Sequence, residues 1–141
     1  MRIMGLDFGD KRIGVAVSDP LGWTAQGITV IKRQASLASD LELIRELAAK
    51  YNVERIVLGL PRNMDGSSGT QAVKVKAFAG KLSERLKLPV ELWDERLTTK
   101  AADKLLIEAD LSRARRRKVI DKMAASLILQ GYLDFQGKGL K

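Results

Sequence analysis

Hydrophobic residues recur at two different periods along the chain, and the change of period separates predicted strands from predicted helices. Three short runs, residues 2–8, 12–18 and 27–31, are apolar or alternate with polar residues, and turns rich in Gly, Pro or Asp separate them. Such runs are typical of strands. Because their connections are short, the three strands are expected to pair as an antiparallel meander.

The period becomes helical after this meander. Apolar residues spaced from Leu41 to Ala48 predict a first helix, with a capping box from Ser39 to Glu42 and an end near Tyr51. A second helix is predicted by the apolar positions from Ala72 to Leu82. The sequence therefore changes from consecutive strands to an alternation of helices and strands.

Two further apolar runs, residues 55–60 and 88–93, predict the fourth and fifth strands. A third helix is expected from about residue 98 to 106, and a last helix begins near Lys118. Helical crossovers make the fourth and fifth strands parallel to the first. The carboxyl ends of these three strands then meet at one edge of the sheet, where α/β proteins bind ligands.

Length and composition favour a single domain over residues 1–136, followed by a flexible tail at 137–141. The 141 residues include no Cys and no His, which excludes disulfides, imidazole-bound zinc and a Ser-His-Asp triad. The beginning of the chain lacks a secretory pattern, and no apolar stretch approaches a membrane span. A cytoplasmic protein without a membrane partner is expected.

The charge of the chain is strongly positive. Lys and Arg number 25 against 17 Asp and Glu, a formal net charge of +8. Such a surplus suits a polyanionic partner such as nucleic acid, although a merely soluble basic protein is the alternative from composition alone.

Three acids are expected to meet at the edge where the parallel strands end. Asp7 ends the first strand, Glu95 follows the fifth, and Asp121 begins the last helix on a face with the small residue Ala125. Each acid alone could cap a turn, pair with a neighbouring cation or complement a helix dipole. Together they would repel one another, and a divalent cation relieves that repulsion. Oxygen ligands favour Mg²⁺ or Mn²⁺, and two such ions about 4 Å apart can hydrolyse a phosphodiester.

Four groups of residues resemble one known family. They are GLDFG at 5–9 with RIGVAVSD at 12–19, GLPRNMDG at 59–66, DERLTT at 94–99 and VIDKMAA at 119–125. In this order they resemble the YqgF/RuvX family, over nearly the whole chain. Members of that family are described as Holliday junction resolvases or as the nuclease that matures the 5′ end of 16S ribosomal RNA precursors.

The resemblance implies a ribonuclease H-like α/β fold, with a five-stranded mixed sheet in the order 3-2-1-4-5 and helices on both faces. It also implies that Asp7, Glu95 and Asp121 are the catalytic, metal-binding residues. Many ribonuclease H-like enzymes use a fourth carboxylate, for which Asp10 and Asp94 are the candidates.

Further residues are expected to contact nucleic acid through backbone groups, hydroxyls or positive charge. The stretch that opens the second helix could hold a phosphate on its N–H groups, or it could be an ordinary capped loop. The basic run at 113–118 is hypothesised to be a mobile substrate clamp, with a solvated connector as the alternative. The expected contacts are Gly9, Lys11, Arg12, Arg62, Asn63, Ser67, Ser68, Arg96, Arg113, Arg115, Arg116, Arg117 and Lys118.

The function predicted from these features is a metal-dependent endonuclease that processes the 5′ end of precursor 16S ribosomal RNA. A resolvase of branched DNA is the first alternative, acting as a homodimer, whereas an RNA-processing enzyme could be a monomer. A non-catalytic factor in ribosome assembly or transcription is the second. An actin-like sugar or acyl kinase shares the glycine pattern but needs a much longer chain.

Overall fold

Five strands form one mixed sheet, with helices on both of its faces. The computed structural model describes residues 2–61, 69–94 and 113–139, with the backbone alone at 113–122 and 137–139. The strands are β1 (Arg2–Phe8), β2 (Arg12–Ser18), β3 (Ala25–Lys32), β4 (Val53–Leu60) and β5 (Val90–Asp94). The helices within the described residues are α1 (Leu37–Lys50), α2 (Thr70–Leu86) and α3 (Arg113–Gly139).

The strand order is β3-β2-β1-β4-β5, as predicted. Strands β1, β2 and β3 pair antiparallel, and β4 pairs parallel with both β1 and β5. Leu6, Leu58 and Leu92 lie on one row across the three parallel strands. The carboxyl ends of β1, β4 and β5 therefore share one edge of the sheet, which we call the C-terminal edge.

The N-cap of the first helix lies three residues earlier than predicted. Ser36 is the N-cap: its backbone is extended, and its side chain accepts a hydrogen bond from the Ser39 N–H at 3.2 Å. The predicted capping box from Ser39 to Glu42 is therefore wrong, because Glu42 instead binds Arg45 on the helix surface. The end of the helix at Tyr51 is confirmed.

The last helix is longer than the sequence pattern suggested. It begins at Arg113 rather than near Lys118, so the basic run is helical and not a connector between two helices. Ala and Arg are strong helix formers, and a helix already packed on the sheet extends through them at little cost. Its backbone continues to Gly139, through residues predicted to belong to the tail. The helix predicted at 98–106 lies outside the described residues.

The two faces of the sheet carry different cores. On one face Met4, Leu6 and Phe8 alternate inward and pack, with their neighbours on the other strands, against α1 and α2. On the other face Ile3 and the small residues of β1 and β2 meet α3. No helix within the described residues is both long and apolar enough to cross a membrane.

Helix α3 approaches β1 closely because Gly5 has no side chain. A Cβ at Gly5 would lie 2.7 Å from the Leu129 Cβ and 3.0 Å from the Ala125 carbonyl oxygen. Ala125 and Leu129 are fully buried in this contact. Any larger residue at position 5 would push the helix away from the sheet.

Gly5→Ala is expected to lower the free energy of unfolding by about 1–3 kcal/mol, because its methyl group would overlap the backbone and Cβ of α3. Urea denaturation measures this change. Gly80→Ala is the matched control: Gly80 lies in α2 with nothing within 4 Å of an added Cβ. That variant is expected to gain about 0.5–1 kcal/mol through helix propensity. Equal effects of the two substitutions would contradict the close packing at Gly5.

Candidate active site at the C-terminal edge

Asp7 is the acid that β1 places at the C-terminal edge of the sheet. It is half-buried and shares a face with Ile3 and Gly5, which is the face covered by α3. Gly14 is its pairing partner on β2, and Gly59 follows Leu58, the partner of Leu6 on β4. The positions directly paired with Asp7 on the neighbouring strands therefore carry no side chain.

The contacts of α3 show that it runs antiparallel to β1. Ala125 lies at the level of Gly5, whereas later residues reach the opposite end of the sheet. The Gln130 side chain accepts a hydrogen bond from the Ala25 N–H at 2.9 Å, and Arg55 donates to the Tyr132 hydroxyl at 2.8 Å. Residues before Ala125 therefore lie toward the C-terminal edge.

This direction brings the backbone of Asp121 toward Asp7. Asp121 precedes Ala125 by one turn, about 6 Å along the helix axis. Asp7 lies two residues beyond Gly5, about 7 Å along the strand. Along the chain, both positions thus lie a similar distance past the crossing of α3 and β1. Glu95, the third acid, lies outside the described residues, immediately after the end of β5 at this edge.

The two candidates for a fourth carboxylate, Asp10 and Asp94, lie on the side of the sheet that α1 and α2 cover, opposite to Asp7. Asp94 pairs with Leu60, whose side chain belongs to the core under α1 and α2. Asp10 lies in the β1–β2 turn and forms an exposed ion pair with Lys74 of α2 at 3.5 Å. Neither residue shares a face with Asp7.

The β1–β2 turn that follows Asp7 depends on a glycine. The Gly9 N–H donates to the Arg12 carbonyl oxygen at 2.9 Å, and a Cβ at Gly9 would lie 2.9 Å from that same oxygen. Arg12 shares the face of Gly14 and Asp7 by strand alternation, and Lys11 is exposed at the tip. Three of the predicted nucleic-acid contacts, Gly9, Lys11 and Arg12, therefore flank the site.

A charged pair on the other face holds this turn in place. Arg33 donates to the carbonyl oxygens of Gly9 and Asp10, both at 3.3 Å, and its guanidinium lies 4.5 Å from the centroid of the Phe8 ring. Asp40, fully buried in the first turn of α1, accepts from the Arg33 Nε at 3.3 Å and from the Gln34 N–H at 2.8 Å. We call Arg33 and Asp40 the turn clamp.

The beginning of α2 is tied to the same edge. The Gln71 side-chain amide donates to the Phe8 carbonyl oxygen at 3.3 Å, and Gly69 is the N-cap without a side-chain cap. The expected contacts Arg62, Asn63, Ser67, Ser68 and Arg96 lie outside the described residues.

The five expected basic contacts of the last helix occupy its first two turns, one to two turns before Asp121. The sequence predicted that this run is mobile, whereas its backbone is helical. Its contact with substrate stays a prediction. These contacts are Arg113, Arg115, Arg116, Arg117 and Lys118.

The donor chemistry of this edge suits a hard divalent cation. Asp7 offers carboxylate oxygens, and the chain has no His or Cys that would favour a softer metal. Among the side chains that the structure describes, which include Asp7 but not Glu95 or Asp121, no three potential metal ligands come together. The oxygen ligands of Asp7, at the edge toward which the backbone of Asp121 lies, therefore fit a hard cation such as Mg²⁺ or Mn²⁺.

Comparisons with known proteins agree on a family and a fold. The family model described as RuvX, Holliday junction resolvase, matches residues 1–135. A protein of Pelotomaculum thermopropionicum, provisionally named pre-16S rRNA nuclease, is 65% identical over 98% of this chain and 90% of its own length. One of Desulforamulus reducens with the same provisional name is 58% identical over 98% of this chain and 100% of its own. The Fowlpox virus resolvase, solved with Holliday junction DNA, superposes with a TM-score of 0.59 at 16% identity, over 96% of this chain and 99% of that one.

The fold is ribonuclease H-like. Its strand order, the acid at the end of the central strand and the structural likeness to a resolvase all agree with this class. The chain belongs to the RuvX family. This assignment also excludes the sugar or acyl kinase considered from the glycine pattern.

Asp40→Asn is expected to loosen the β1–β2 turn, because the amide keeps the shape of the carboxylate but loses its charge toward Arg33. The free energy of unfolding should fall by about 1.5–3 kcal/mol, the range for hydrogen bonds to charged groups. Hydrogen exchange at the Gly9 amide should become faster. Glu54→Gln, an exposed acid at the start of β4, is the control and should change neither quantity. Unchanged exchange at Gly9 in Asp40→Asn would contradict the role of the turn clamp.

Proposed function

We propose that this protein is a metal-dependent endonuclease that hydrolyses phosphodiesters in precursor 16S ribosomal RNA. The observation that carries the proposal is the packing of α3 on β1 at Gly5 and its antiparallel direction, which place the backbone of Asp121 on the same side of this crossing as Asp7. The family and the names of its relatives support the same activity.

Asp7, Glu95 and Asp121 would hold one or two Mg²⁺ or Mn²⁺ ions. Such ions supply an activated water and stabilisation of the leaving oxygen. The residues of this chain have three tasks: the carboxylates fix the ions, Gly14 and Gly59 leave space beside Asp7, and Arg12 and Lys11 attract the phosphate backbone. The turn clamp of Arg33 and Asp40 keeps the end of β1 in place.

RNA is the proposed substrate because both relatives described above carry the name of a pre-16S rRNA nuclease. The formal net charge of +8 suits any nucleic acid and does not distinguish RNA from DNA. An enzyme that matures ribosomal RNA works where ribosomes are assembled, so the proposal places this protein in the cytoplasm.

Resolution of branched DNA is the second candidate function. It is favoured by the description of the family model and by the structural likeness to the Fowlpox virus resolvase. Cutting two symmetry-related strands of a junction needs two copies of the chain, whereas trimming one RNA strand needs one. Oligomeric state and substrate preference are therefore linked.

Asp7→Asn is expected to abolish metal-dependent cleavage, with a rate loss of roughly a thousandfold or more, because it removes a ligand and a charge without changing shape. Affinity for RNA should stay the same or rise, since one negative charge facing the phosphates is lost. Cleavage and binding are measured on the same RNA with Mn²⁺ and with EDTA. Glu54→Gln removes one exposed acid far from this edge and should cleave at the wild-type rate. Near-normal cleavage by Asp7→Asn would remove Asp7 from the site.

The wild-type protein is expected to cleave a precursor 16S rRNA fragment at its 5′ side faster than it cleaves a four-way DNA junction, when both are supplied at equal concentration with Mn²⁺. Sedimentation under the same conditions gives the oligomeric state. Faster symmetric cleavage of the junction by a dimer would favour the resolvase. Binding of both substrates without any cleavage would instead favour the non-catalytic factor.

A further inference from the structure

A groove runs between α1 and α2 and opens beside the β1–β2 turn. It consists of two adjoining cavities of about 330 and 430 Å³, which share Leu37 and Lys81. Phe8 and Phe78 stack at its inner end with ring centroids 4.1 Å apart. Since Phe8 follows Asp7 directly and faces the opposite way, the groove begins on the other side of the edge that carries Asp7.

Two lysines of α2 supply positive charge to the groove, and two acids, Asp10 and Glu84, also line it. Lys74 and Lys81 both line it, and their spacing of seven residues places them on one face of the helix. The charge of Arg33 is balanced by the buried Asp40. Lys81 forms no ion pair with any described residue, and it lies where the two cavities adjoin.

The only described acid beside Lys74 is Asp10, and this pair is weak. Its atoms are 3.5 Å apart, and the two side chains are 59% and 67% exposed. Exposed pairs of this kind contribute little, because water and salt screen them. A phosphate group can therefore compete with Asp10 for Lys74.

A salt bridge joins the two helices at the far end of the groove. Arg85 of α2 donates to Glu42 of α1 at 3.1 Å, and Arg45 binds the same carboxylate. Hydrogen bonds, first from Arg45 and then from Arg85, lower the pKa of Glu42 to about 2. The carboxylate is therefore charged at neutral pH and can pair with both arginines.

From this arrangement we propose that the groove between α1 and α2 binds the phosphate backbone of a nucleic-acid strand, with Lys74 and Lys81 as the contacts. The strand passes over the β1–β2 turn from the C-terminal edge into the groove. Its phosphates meet the two lysines, and its sugars lie over the apolar floor formed by Leu37, Ala77 and Phe78. The inference rests on the proposed function for the identity of the strand as substrate.

The test is a comparison of two double variants with the same loss of charge. Lys74→Gln with Lys81→Gln removes the proposed contacts, whereas Lys50→Gln with Lys76→Gln removes two exposed lysines of the same helices that do not line the groove. Binding of one mixed-sequence single-stranded RNA, and of DNA of the same sequence, is titrated in EDTA at several salt concentrations. EDTA prevents cleavage, so the readout does not depend on catalysis.

The groove variant is expected to bind RNA and DNA more weakly than the wild type. The slope of log affinity against log salt should also be less steep by about 1.4, which is 0.7 for each of two lost phosphate contacts on a single strand. The control should keep the wild-type slope. Asp10→Asn should bind more tightly than the wild type, because Lys74 loses its competitor.

Equal slopes for the two double variants would overturn the proposal. Asp10→Asn with unchanged or weaker binding would also contradict it. If the wild type cleaves no nucleic acid but the groove variant still loses affinity, the proposed function fails and the binding groove stands. If cleavage is normal and the affinities are equal, the groove fails and the proposed function stands.

Discussion

The contact between α3 and β1 at Gly5 is the constraint on which the candidate site depends. It fixes the height of the helix above the sheet, because the Gly5 position leaves no space for even a methyl group. Hydrogen bonds donated by β3 and by β4 to side chains of α3 fix its direction. Together these contacts decide where the beginning of the helix, and with it Asp121, lies relative to Asp7.

The apolar core and the polar edge are built from the same strand. Alternate residues of β1 serve the core under α1 and α2, and the residues between them serve the face under α3. The turn clamp connects the core under α1 to the polar edge. Asp40 lies in the first turn of α1, and Arg33, which it binds, donates to carbonyl oxygens of the turn after Asp7. The buried charge of Asp40 is acceptable here because the Arg33 guanidinium and the Gln34 N–H both donate hydrogen bonds to its carboxylate.

Much of the fold could be predicted from the sequence because its signals are local. The strand runs and helical periods gave the elements, and the crossover lengths gave the parallel pairs around β4. The cap at Ser36 and the start of α3 could not be predicted in this way. Ser39 is as good a cap as Ser36 in isolation, and a run with five cations is compatible with a helix as well as a loop.

The candidate site was predictable only in part. Alternation and strand order were sufficient to bring Asp7 to the C-terminal edge, and the small residue Ala125 indicated the helix that approaches it. No pattern in the sequence indicated the turn clamp. Arg33 and Asp40 are separated by a loop, and an acid in the first turn of a helix is ordinarily explained by the helix dipole. Gly59 was visible as part of a motif, but its place beside Asp7 follows only from the register of β1 and β4.

The strict alternation in β1 also limits how this strand can vary in length. Asp7 and Phe8 are neighbours in the chain with opposite surroundings, one on a polar edge and one stacked on Phe78 in the core. Insertion or deletion of a single residue upstream of them would exchange these surroundings. The carboxylate would then enter the apolar core and the phenyl ring would face the polar edge. Changes of length are therefore expected to be excluded from β1 and confined to loops, where they leave this alternation intact.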